Sequence, residues 1–218
     1  MWVQLKSIKM VEVQGKLRTY KQGDWVDVGK QTALLWISEG AAWIPDGAAV
    51  DLMGADCGVF LFGDHSPEQM SAALGDYAGK IEATCGPWPD GLPWSKTLLF
   101  NPQLKMRKEL TPVGFHLLDT WQVCAPLWDY EKLAADQGSE QDRELTAAVI
   151  ADLRVPLYSP DLVFVRRCGD TERWLADWGS DDRGAKGDRR FSLLRSLYRN
   201  KPLLLALPTV WIGKDMGY

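Results

Sequence analysis

Residues 58–85, GVFLFGDHSPEQMSAALGDYAGKIEATC, decide the fold class of this 218-residue chain. The first five residues of this stretch are mostly apolar and predict a short buried strand. Ser66 and Pro67 then supply an N-cap and a first helical residue, and the apolar spacing predicts a helix that ends near Gly79. A second strand is predicted over 81–85. A strand, a helix and a strand in this order are typical of two parallel strands joined by a crossover helix.

The same alternation continues towards the C-terminus. Apolar runs predict further strands over 97–100, 123–127, 161–166 and 203–207. Capping residues and helical spacing predict helices over 111–121, 140–153, 170–178 and 188–198. Pro126 is expected to place its strand at an edge of the sheet, because proline cannot donate to a ladder. This alternation predicts an α/β layered, Rossmann-like domain over 55–218.

Residues 86–93, GPWPDGLP, are incompatible with regular secondary structure and predict a loop. The loop carries Trp88, and Trp94 follows it directly. Because a loop runs over the protein surface, the two indoles either fold back on their own domain or leave apolar area exposed. Three prolines stiffen this backbone, so we expect at least one of the two indoles to pack on another subunit.

The first 46 residues are predicted to form a separate small module rich in β-structure. Strands are expected over 2–13, 17–20, 25–28 and 41–44, and one short helix over 32–39. Gln14-Gly15 is able to reverse a hairpin, and Gly40 is placed to end the helix. Proline and glycine between 45 and 55 mark the boundary with the α/β domain.

Tryptophan is the compositional outlier, with 11 residues. The indole ring is large and rigid, so tryptophan is favoured both in cores and at packed interfaces. Burial in the core is the commoner location of any one tryptophan. The residues predicted as interface candidates are Trp25, Trp43, Trp88 and Trp94.

The overall charge and the cysteines narrow the classes of protein. The chain has 25 Lys and Arg against 29 Asp and Glu, a net charge of −4, which argues against a dedicated nucleic-acid-binding protein. The four cysteines, at positions 57, 85, 124 and 168, match no zinc-ligand spacing, and their apolar neighbours indicate free thiols in a reducing cytoplasm. No run approaches 18 apolar residues and no signal-peptide pattern occurs, so we expect neither a membrane span nor secretion by that route.

The sequence contains few signatures of catalysis. It has two histidines: His65 lies beside a helix N-cap, and His116 lies inside a predicted helix. No cluster of His, Cys and carboxylates has metal-ligand spacing. Residues 75–80 are one residue short of the phosphate-loop spacing, and neither a dinucleotide fingerprint nor a Gly-x-Ser-x-Gly elbow occurs. No catalytic residue is therefore predicted from the residues alone.

Basic residues accumulate between positions 183 and 201, where Asp188 is the only acid. One interpretation is a patch that meets an acidic protein, DNA or a nucleotide diphosphate. The other is the solvated face of an amphipathic helix that buries its leucines. The members of this basic patch are Arg183, Lys186, Arg189, Arg190, Arg195 and Arg199.

The N-terminal module resembles small modules of tailed-bacteriophage structural proteins. In those modules a Gly-Asp-x-Val-x-Val strand precedes a helix that ends in x-x-Gly-Ala-Ala. The residues that carry the resemblance are Gly23, Asp24, Val26, Val28, Ala33, Gly40, Ala41 and Ala42. The resemblance covers about a fifth of the chain and rests mostly on structural residues. It implies a phage origin rather than a particular chemistry.

Residues 155–211 resemble the C-terminal half of nucleotide-sugar glycosyltransferases of the A type. A strand that ends in arginine, a helix, an acid-led helix and a Leu-Pro-x-x-Trp segment recur there in this order, here up to Leu207, Pro208 and Trp211. The resemblance implies a glycosyltransferase-A-like fold that binds a UDP-sugar with Mn²⁺ or Mg²⁺. Such enzymes hold the metal with Asp-x-Asp, and no two aspartates of this chain are two positions apart. The resemblance therefore implies either an enzyme or a degenerate relative of one.

Other carboxylates were considered as substitutes for the missing Asp-x-Asp. The pairs at 140 and 142, at 142 and 144 and at 170 and 172 all fall in predicted helix starts, where acids have a capping role. Asp119 and Asp129 are an alternative pair that would hold a metal from a strand edge. The sequence requires no metal at any of these positions.

Taken together, these features predict a non-enzymatic bacteriophage virion component. It would be a head decoration or cement protein, or a head–tail junction protein, that acts through subunit–subunit contacts. Its expected partners are other virion proteins and further copies of itself, assembled in the host cytoplasm, with no membrane or nucleic-acid partner and no cofactor. The alternative is a phage-encoded nucleotide-sugar glycosyltransferase or a degenerate relative of one.

Overall fold

The structure is a computed structural model, and it describes residues 1–13, 16–43, 56–104, 110–184 and 187–213. The turn predicted at Gln14-Gly15 and the boundary predicted at 45–55 lie outside these residues. In the described part, helices flank a mixed sheet, which places the chain in the α/β class.

The described N-terminal part contains five short strands and one helix. These are β1 (Trp2–Leu5), β2 (Lys9–Val13), β3 (Lys16–Tyr20), β4 (Trp25–Asp27), α1 (Lys30–Ser38) and β5 (Ala42–Trp43). Strand β1 is the centre of a three-stranded antiparallel sheet in the order β4-β1-β5, whereas β2 and β3 form a separate hairpin. The single strand predicted over 2–13 is wrong. Its two halves join different sheets. The pairing of β1 with β4 ends after Leu5, and the N–H of Lys6 donates to the carbonyl of Ala41 (2.8 Å).

Helix α1 ends in a Schellman motif at Gly40. The Gly40 N–H donates to the carbonyl of Ile37 (2.9 Å), and the Ala41 N–H donates to the carbonyl of Trp36 (2.8 Å). Gly40 has φ +72°, a left-handed conformation that costs other residues more than glycine. The prediction that Gly40 ends this helix is confirmed.

We expect Gly40→Ala to lower the free energy of unfolding by about 1–2 kcal/mol, because a Cβ is strained at this φ. Chemical denaturation of the purified protein measures the change. Gly29→Ala is the matched control, since Gly29 has φ −54° and an added Cβ there meets nothing within 4 Å. Equal destabilisation by both variants would contradict the role of the left-handed conformation.

The body is built on a six-stranded sheet. Its strands are β6 (Cys57–Phe62), β7 (Glu82–Gly86), β8 (Lys96–Phe100), β9 (Val123–Pro126), β10 (Leu162–Arg166) and β11 (Leu204–Leu207). Their order is β11-β9-β10-β8-β6-β7. Strand β10 is antiparallel to both its neighbours, and the other adjacent pairs are parallel. The described helices are α2 (Pro67–Leu74), α3 (Thr111–Leu117), α4 (Glu140–Ala147), α5 (Gly169–Gly184) and α6 (Arg189–Asn200).

The parallel unit formed by β6, α2 and β7 confirms the first prediction from the sequence. Ser66 and Gln69 form a capping box at the start of α2, with Pro67 as its first residue. The helix ends earlier than predicted, because Gly75 takes φ +55° and the chain continues as a 3-10 turn over 75–77. This turn buries Tyr77 against the core.

The central strands direct their side chains alternately to two buried layers, as period-two alternation requires. In β6, Val59 and Leu61 face the first layer and Phe60 faces the second. The first layer also contains Val3, Ile37 and Phe115, so the N-terminal part and α3 cover this face of the sheet. The second layer is covered by α5, α6 and the loop after β7, through Leu92, Trp174 and Leu193 among others. The N-terminal part therefore shares one hydrophobic cluster with the body, and the division into residues 1–46 and 55–218 stays a prediction.

Pro126 does not place β9 at an edge, and that prediction is wrong. Strand β9 lies between β11 and β10. Pro126 is its last residue and pairs with Leu207 of β11, whereas the ladder with β10 includes only Val123 and Cys124. On the β10 side, the carbonyl of Pro126 accepts from the N–H of Ser159 (2.8 Å). Proline is tolerated because its missing N–H falls where the ladder has already ended.

Two further helices are shorter than predicted. Helix α3 ends at Leu117 rather than near 121, and α4 ends at Ala147 rather than near 153. After α4 the chain turns so that the N–H groups of Val149 and Ile150 both donate to the carbonyl of Thr146. This turn brings Ile150 into a third buried cluster with residues of α6.

Candidate functional site

The outer face of the N-terminal three-stranded sheet carries three tryptophans. Trp25 of β4 and Trp43 of β5 both pair with Gln4 of β1, so the side chains of Trp25, Gln4 and Trp43 form one row across the sheet. The rings of Trp25 and Trp43 lie 5.6 Å apart between centroids. The Trp43 Nε1–H donates to Gln4 Oε1 (2.6 Å), and Gln4 Nε2 donates to the carbonyl of Gly23 (3.0 Å). The amide of Gln4 thus fixes the row, and we call Trp2, Trp25 and Trp43 the tryptophan face.

The tryptophan face is exposed, whereas the opposite face of the same sheet is buried. Trp2, two residues before Gln4 on the same face, is 59% exposed, and Trp25 is 45% exposed. On the other face Val3 and Val26 are buried in the shared core. The outward face of an antiparallel sheet is ordinarily polar. Adjacent exposed indoles on such a face are typical of a surface that binds a partner.

The hairpin of β2 and β3 exposes further apolar side chains. Met10 is 66% exposed and Leu17 is 68% exposed, and they lie on the outward side of the hairpin with Thr19 and Glu12. The inward side is attached at its base, where Lys9 forms an ion pair with Glu39 (3.1 Å) and lies 5.8 Å from the ring of Trp36. We call residues 6–21 the arm. Six of the ten large hydrophobic side chains that are exposed in the described chain belong to the N-terminal part: Trp2, Ile8, Met10, Leu17, Trp25 and Leu35.

Trp88 and Trp94 fold back on their own domain although three prolines stiffen the loop, and the packing of either indole on another subunit stays a prediction. Trp94 is only 9% exposed, and its Nε1–H donates to a Glu82 carboxylate oxygen (2.7 Å). Trp88 is half-buried and makes an edge-to-face contact with Trp178 at 4.9 Å between ring centroids. Each indole lies over a glycine: a Cβ at Gly58 would come within 2.0 Å of Trp94, and one at Gly179 within 2.4 Å of Trp88. The loop closes over the sheet because these two glycines leave room for the rings.

The arginines of the predicted basic patch whose side chains are described are paired with acids, so these side chains do not form an open basic surface. Arg195 is 2% exposed and binds Asp181 through two hydrogen bonds (2.6 and 2.9 Å). Arg199 also binds Asp181, as well as Asp177 (3.0 Å). The partners belong to α5, which precedes the patch, where Asp177 and Asp181 stand four residues apart on one helix face. The other interpretation, a solvated helix face, is also wrong for Arg195, because this side chain is buried.

The remaining members of the patch are arranged similarly or lie outside the description. Arg189 lies 3.2 Å from Asp182 and stands over the ring of Phe62 at 4.6 Å. Arg190 binds Asp188 and stands 4.8 Å from the ring of Trp128. The side chain of Arg183 and all of Lys186 fall outside the described residues. The described arginines therefore join α5, α6 and the sheet rather than present charge to a ligand.

Asp181 makes the stability of this network dependent on pH. Burial raises the pKa of its carboxyl, but the hydrogen bonds and charges of Arg195 and Arg199 outweigh burial and hold the pKa below its ordinary value of 3.8. A lowered pKa in the folded state means that the stabilisation is present above the unfolded pKa and is lost as the pH falls through the folded pKa.

We therefore expect acidification below about pH 4 to destabilise the wild-type protein more than an Asp181→Asn variant. Urea unfolding at a series of pH values between 7 and 2.5 compares the two proteins. The Asn variant is less stable at pH 7, and its curve should approach that of the wild type in acid. Parallel curves would show that Asp181 does not contribute to the pH dependence.

Asp119 and Asp129 lie on either side of strand β9. Asp119 precedes β9 and Asp129 follows it, so they lie at opposite ends of a four-residue strand that spans roughly 13 Å. The two carboxylate oxygens of Asp119 are engaged by Lys96 (2.5 Å) and by His116 Nδ1 (3.0 Å). The search of the described residues found no group of three or more His, Cys, Asp or Glu placed to bind a metal. The alternative metal pair from the sequence therefore gains no support from the described residues and stays a prediction.

The carboxyl end of the sheet is where an open α/β sheet ordinarily binds ligands. His65 follows β6 there, and its Nε2 lies 2.9 Å from the carbonyl of Phe62. Asn101 follows β8, and its amide donates to Asp161 (2.9 Å). The side chains of His65 and Asn101 are thus engaged within the chain. Of the acids at predicted helix starts, Asp142 has the predicted capping role, because it completes the capping box of α4 with Ser139. Asp170 instead forms an ion pair with Arg173.

The four cysteines are free thiols, and burial raises the pKa of Cys124. None of the helices in the described ranges is long and apolar enough to cross a membrane. Comparison of the chain with family models, with curated proteins and with solved structures gave no match. The function is therefore argued from the geometry of this molecule.

Proposed function

We propose that this chain is a non-enzymatic structural component of a bacteriophage particle that acts through subunit–subunit contacts. It would serve as a head decoration or cement protein or as a head–tail junction protein, assembled in the host cytoplasm with other virion proteins and further copies of itself. The tryptophan face is the observation that carries the proposal. Two of its rings are about half exposed on a rigid antiparallel sheet.

Three features support the interpretation that the tryptophan face binds a partner. The sheet is preorganised, because Gln4 bonds Trp43 and its opposite face is part of the core. Docking of a rigid indole loses little side-chain entropy, and tryptophan is enriched at binding hot spots. The resemblance of residues 1–46 to phage structural modules points in the same direction.

Association with particles tests this proposal. A tagged chain is produced during growth of the phage that encodes it, and particles are separated by density-gradient sedimentation. We expect the wild-type chain to sediment with particles and a Trp25→Ala/Trp43→Ala variant to remain in the soluble fraction. Leu145→Ala, a change at another exposed apolar side chain, is the control that should keep particle association. A wild-type chain that never sediments with particles would exclude a structural role.

The alternative is a nucleotide-sugar glycosyltransferase or a degenerate relative of one, and one observation favours it. The four elements of the resemblance over 155–211 correspond to β10 ending at Arg166, α5, α6 capped by Asp188, and β11 followed by Pro208. A mixed sheet flanked by helices is compatible with such a fold. A UDP-sugar would then bind at the carboxyl end of the sheet.

A thermal-shift experiment with UDP-glucose or UDP-galactose and Mn²⁺ separates the two functions. Ligand at a hundred times its dissociation constant adds about 2.7 kcal/mol of stability to a protein that binds it. We expect no shift. A shift that requires both the nucleotide sugar and the metal would favour the enzyme over the structural component.

A further inference from the structure

Strand β7 is an edge of the six-stranded sheet, and in the described residues it pairs only with β6. The Gly63 N–H donates to the carbonyl of Gly86 (2.8 Å), so the backbone of Gly86 and, two residues earlier, that of Thr84 face β6. The N–H and C=O groups of Ala83 and Cys85 lie between these positions and point away from β6. Strand β7 contains neither lysine nor proline, which commonly block such an edge. Its outward backbone groups can therefore pair with a further strand.

A cavity of about 470 Å³ adjoins this edge. Thr84 of β7 and Phe60 of β6 are paired in register, and both line the cavity on the face of the sheet that carries the second buried layer. Pro89 and Leu92, from the loop after β7, add apolar walls. Thr84 is exposed, so the cavity is open towards the edge. A residue opposite Thr84 on an added strand would direct its side chain to the same face and into this cavity.

The surface around the cavity is acidic on balance. Asp90 and Glu172 line the cavity. Glu82 lies two residues before Thr84 on the same face of β7. All three acids are exposed, and within the described part of the chain none of them forms an ion pair. Arg167 also lines the cavity, but its Nη1 donates to two carbonyls of the loop (3.2 and 3.4 Å). Three carboxylates against one arginine favour a partner that brings positive charge.

These properties specify an extended segment that has a large apolar residue and a basic residue two positions away from it. In an antiparallel pair the apolar residue would lie opposite Thr84 and the basic residue opposite Glu82, where opposite charges stabilise the pair. The arm of a second copy does not have this pattern, because its exposed Met10 and Leu17 share their face with Glu12. The segment that fits the edge therefore belongs to a different protein.

We propose that β7 binds an extended segment of another protein by antiparallel β-strand addition. An apolar side chain of that segment lies in the cavity over Phe60, and a lysine or arginine lies beside Glu82. Hydrogen bonds to the outward backbone groups of Ala83 and Cys85 supply affinity, and the cavity supplies specificity. The edge and the tryptophan face belong to different sheets, so this contact goes beyond the proposed function and is measured independently of it.

A blocked peptide, acetyl-Thr-Lys-Val-Leu-Val-Lys-Thr-amide, is a probe with this chemistry. With its leucine opposite Thr84, its two valines lie opposite Ala83 and Cys85 and one of its lysines lies opposite Glu82. Amide hydrogen exchange of the purified full-length chain, followed by NMR, detects the contact at single residues. We expect the amide hydrogens of Ala83 and Cys85 to exchange about tenfold or more slowly at saturating peptide, because they become donors to the added strand.

Three altered peptides separate the parts of the contact. Alanine in place of the leucine should weaken binding by about tenfold or more, because the cavity loses its apolar occupant. N-methylation of both valines should weaken binding similarly, because the peptide can no longer donate to the outward carbonyls of β7. Glutamate in place of both lysines should also weaken binding, because it places like charges beside the acidic rim.

Variants of the chain test the charges from the other side. Glu82→Gln/Asp90→Asn/Glu172→Gln removes the three negative charges, and the amide oxygen at position 82 can still accept from the Trp94 indole. This variant should bind the lysine peptide about tenfold more weakly and discriminate less between the lysine and glutamate peptides. The matched control is Glu131→Gln/Glu140→Gln/Glu144→Gln, three exposed acids elsewhere, which should bind like the wild type. Thermal unfolding verifies that each variant is folded.

Several outcomes would overturn the proposal. One is the absence of binding at peptide concentrations up to about 1 mM. Others are slow exchange of the Ala83 and Cys85 amides in the free chain, or peptide binding that leaves their exchange unchanged. Protection of these amides by self-association of the chain would assign the edge to a second copy and reject a different protein. Loss of peptide binding leaves the particle association of the tryptophan face unaffected, so failure of this inference and failure of the proposed function are distinguishable.

Discussion

Replacement of Arg195 by leucine is expected to lower the free energy of unfolding by about 3 kcal/mol. Arg195 is almost completely buried and donates to Asp181 and to the hydroxyl of Thr146 (3.2 Å). Its removal leaves the carboxylate of Asp181 without its main partner, and a buried charge without a partner is costly. The hydroxyl of Thr146 keeps its hydrogen bond to the carbonyl of Asp142 (2.6 Å). Arg199 still reaches Asp181 from the solvent side, so we expect a value at the lower end of the range for buried pairs.

The control for this prediction is Arg154→Ala. Arg154 binds Asp152 through three hydrogen bonds, and both side chains are exposed. Solvent screens this pair, so its loss should not change the urea midpoint measurably. Guanidinium or urea denaturation of the two variants compares them directly. If Arg195→Leu were as stable as Arg154→Ala, the arginine would not be part of the packing between α5, α6 and α4.

The element types of the body could be predicted because the signals that set them are local. Ser66 and Pro67 begin α2, Gly40 ends α1, and Asp188 caps α6, each through contacts within a few residues. The strands were found because continuous apolar runs are needed where both faces of a sheet are buried. Prediction was weaker at helix ends, where Ile150 leaves the helical path to join a cluster formed by distant residues.

The strand order and the charge pairing depend on contacts between distant residues. Pro126 predicts an edge strand because proline has no N–H to donate to a neighbouring strand. Whether a neighbouring strand reaches Pro126 depends on where the ladder with β10 ends, and that ladder includes only Val123 and Cys124 of β9. The sequence predicts Arg195 and Arg199 either on a basic patch or on a solvated helix face, because Asp188 is the only acid between positions 183 and 201. Asp177 and Asp181 lie just before position 183, and their spacing of four residues could have indicated a facing helix.

The two indoles of the proline-rich loop show the same limitation. Three prolines predict a rigid loop, but rigidity alone does not set its direction. The direction depends on Gly58 and Gly179, which are 30 and 91 residues from Trp88 and whose missing side chains leave space for Trp94 and Trp88 respectively. The tryptophans that remain exposed are those of a sheet whose other face is occupied by the core. Exposure therefore followed from which face of each strand is covered, and not from the stiffness of the loop.

The four predicted interface tryptophans should consequently divide into two classes. We expect Trp94→Ala to lower the free energy of unfolding of the isolated chain by about 3–5 kcal/mol, because it empties a buried site above Gly58 and removes the hydrogen bond to Glu82. Trp25→Ala should cost the isolated chain less than about 1 kcal/mol, since Trp25 is nearly half exposed and loses mainly its contact with Trp43.

The same two variants should show the opposite order in particle association: the less stable one should associate and the more stable one should not. Urea unfolding measures the isolated chain, and density-gradient sedimentation measures association at a temperature where both variants are folded. The folded Trp94→Ala protein should still associate, because its indole is inside the subunit, whereas Trp25→Ala should lose association while remaining stable. Loss of stability by Trp25→Ala equal to that of Trp94→Ala would make the tryptophan face part of the fold instead of a contact surface. The tryptophan face would then have no functional interpretation, and the structural role would need a different surface.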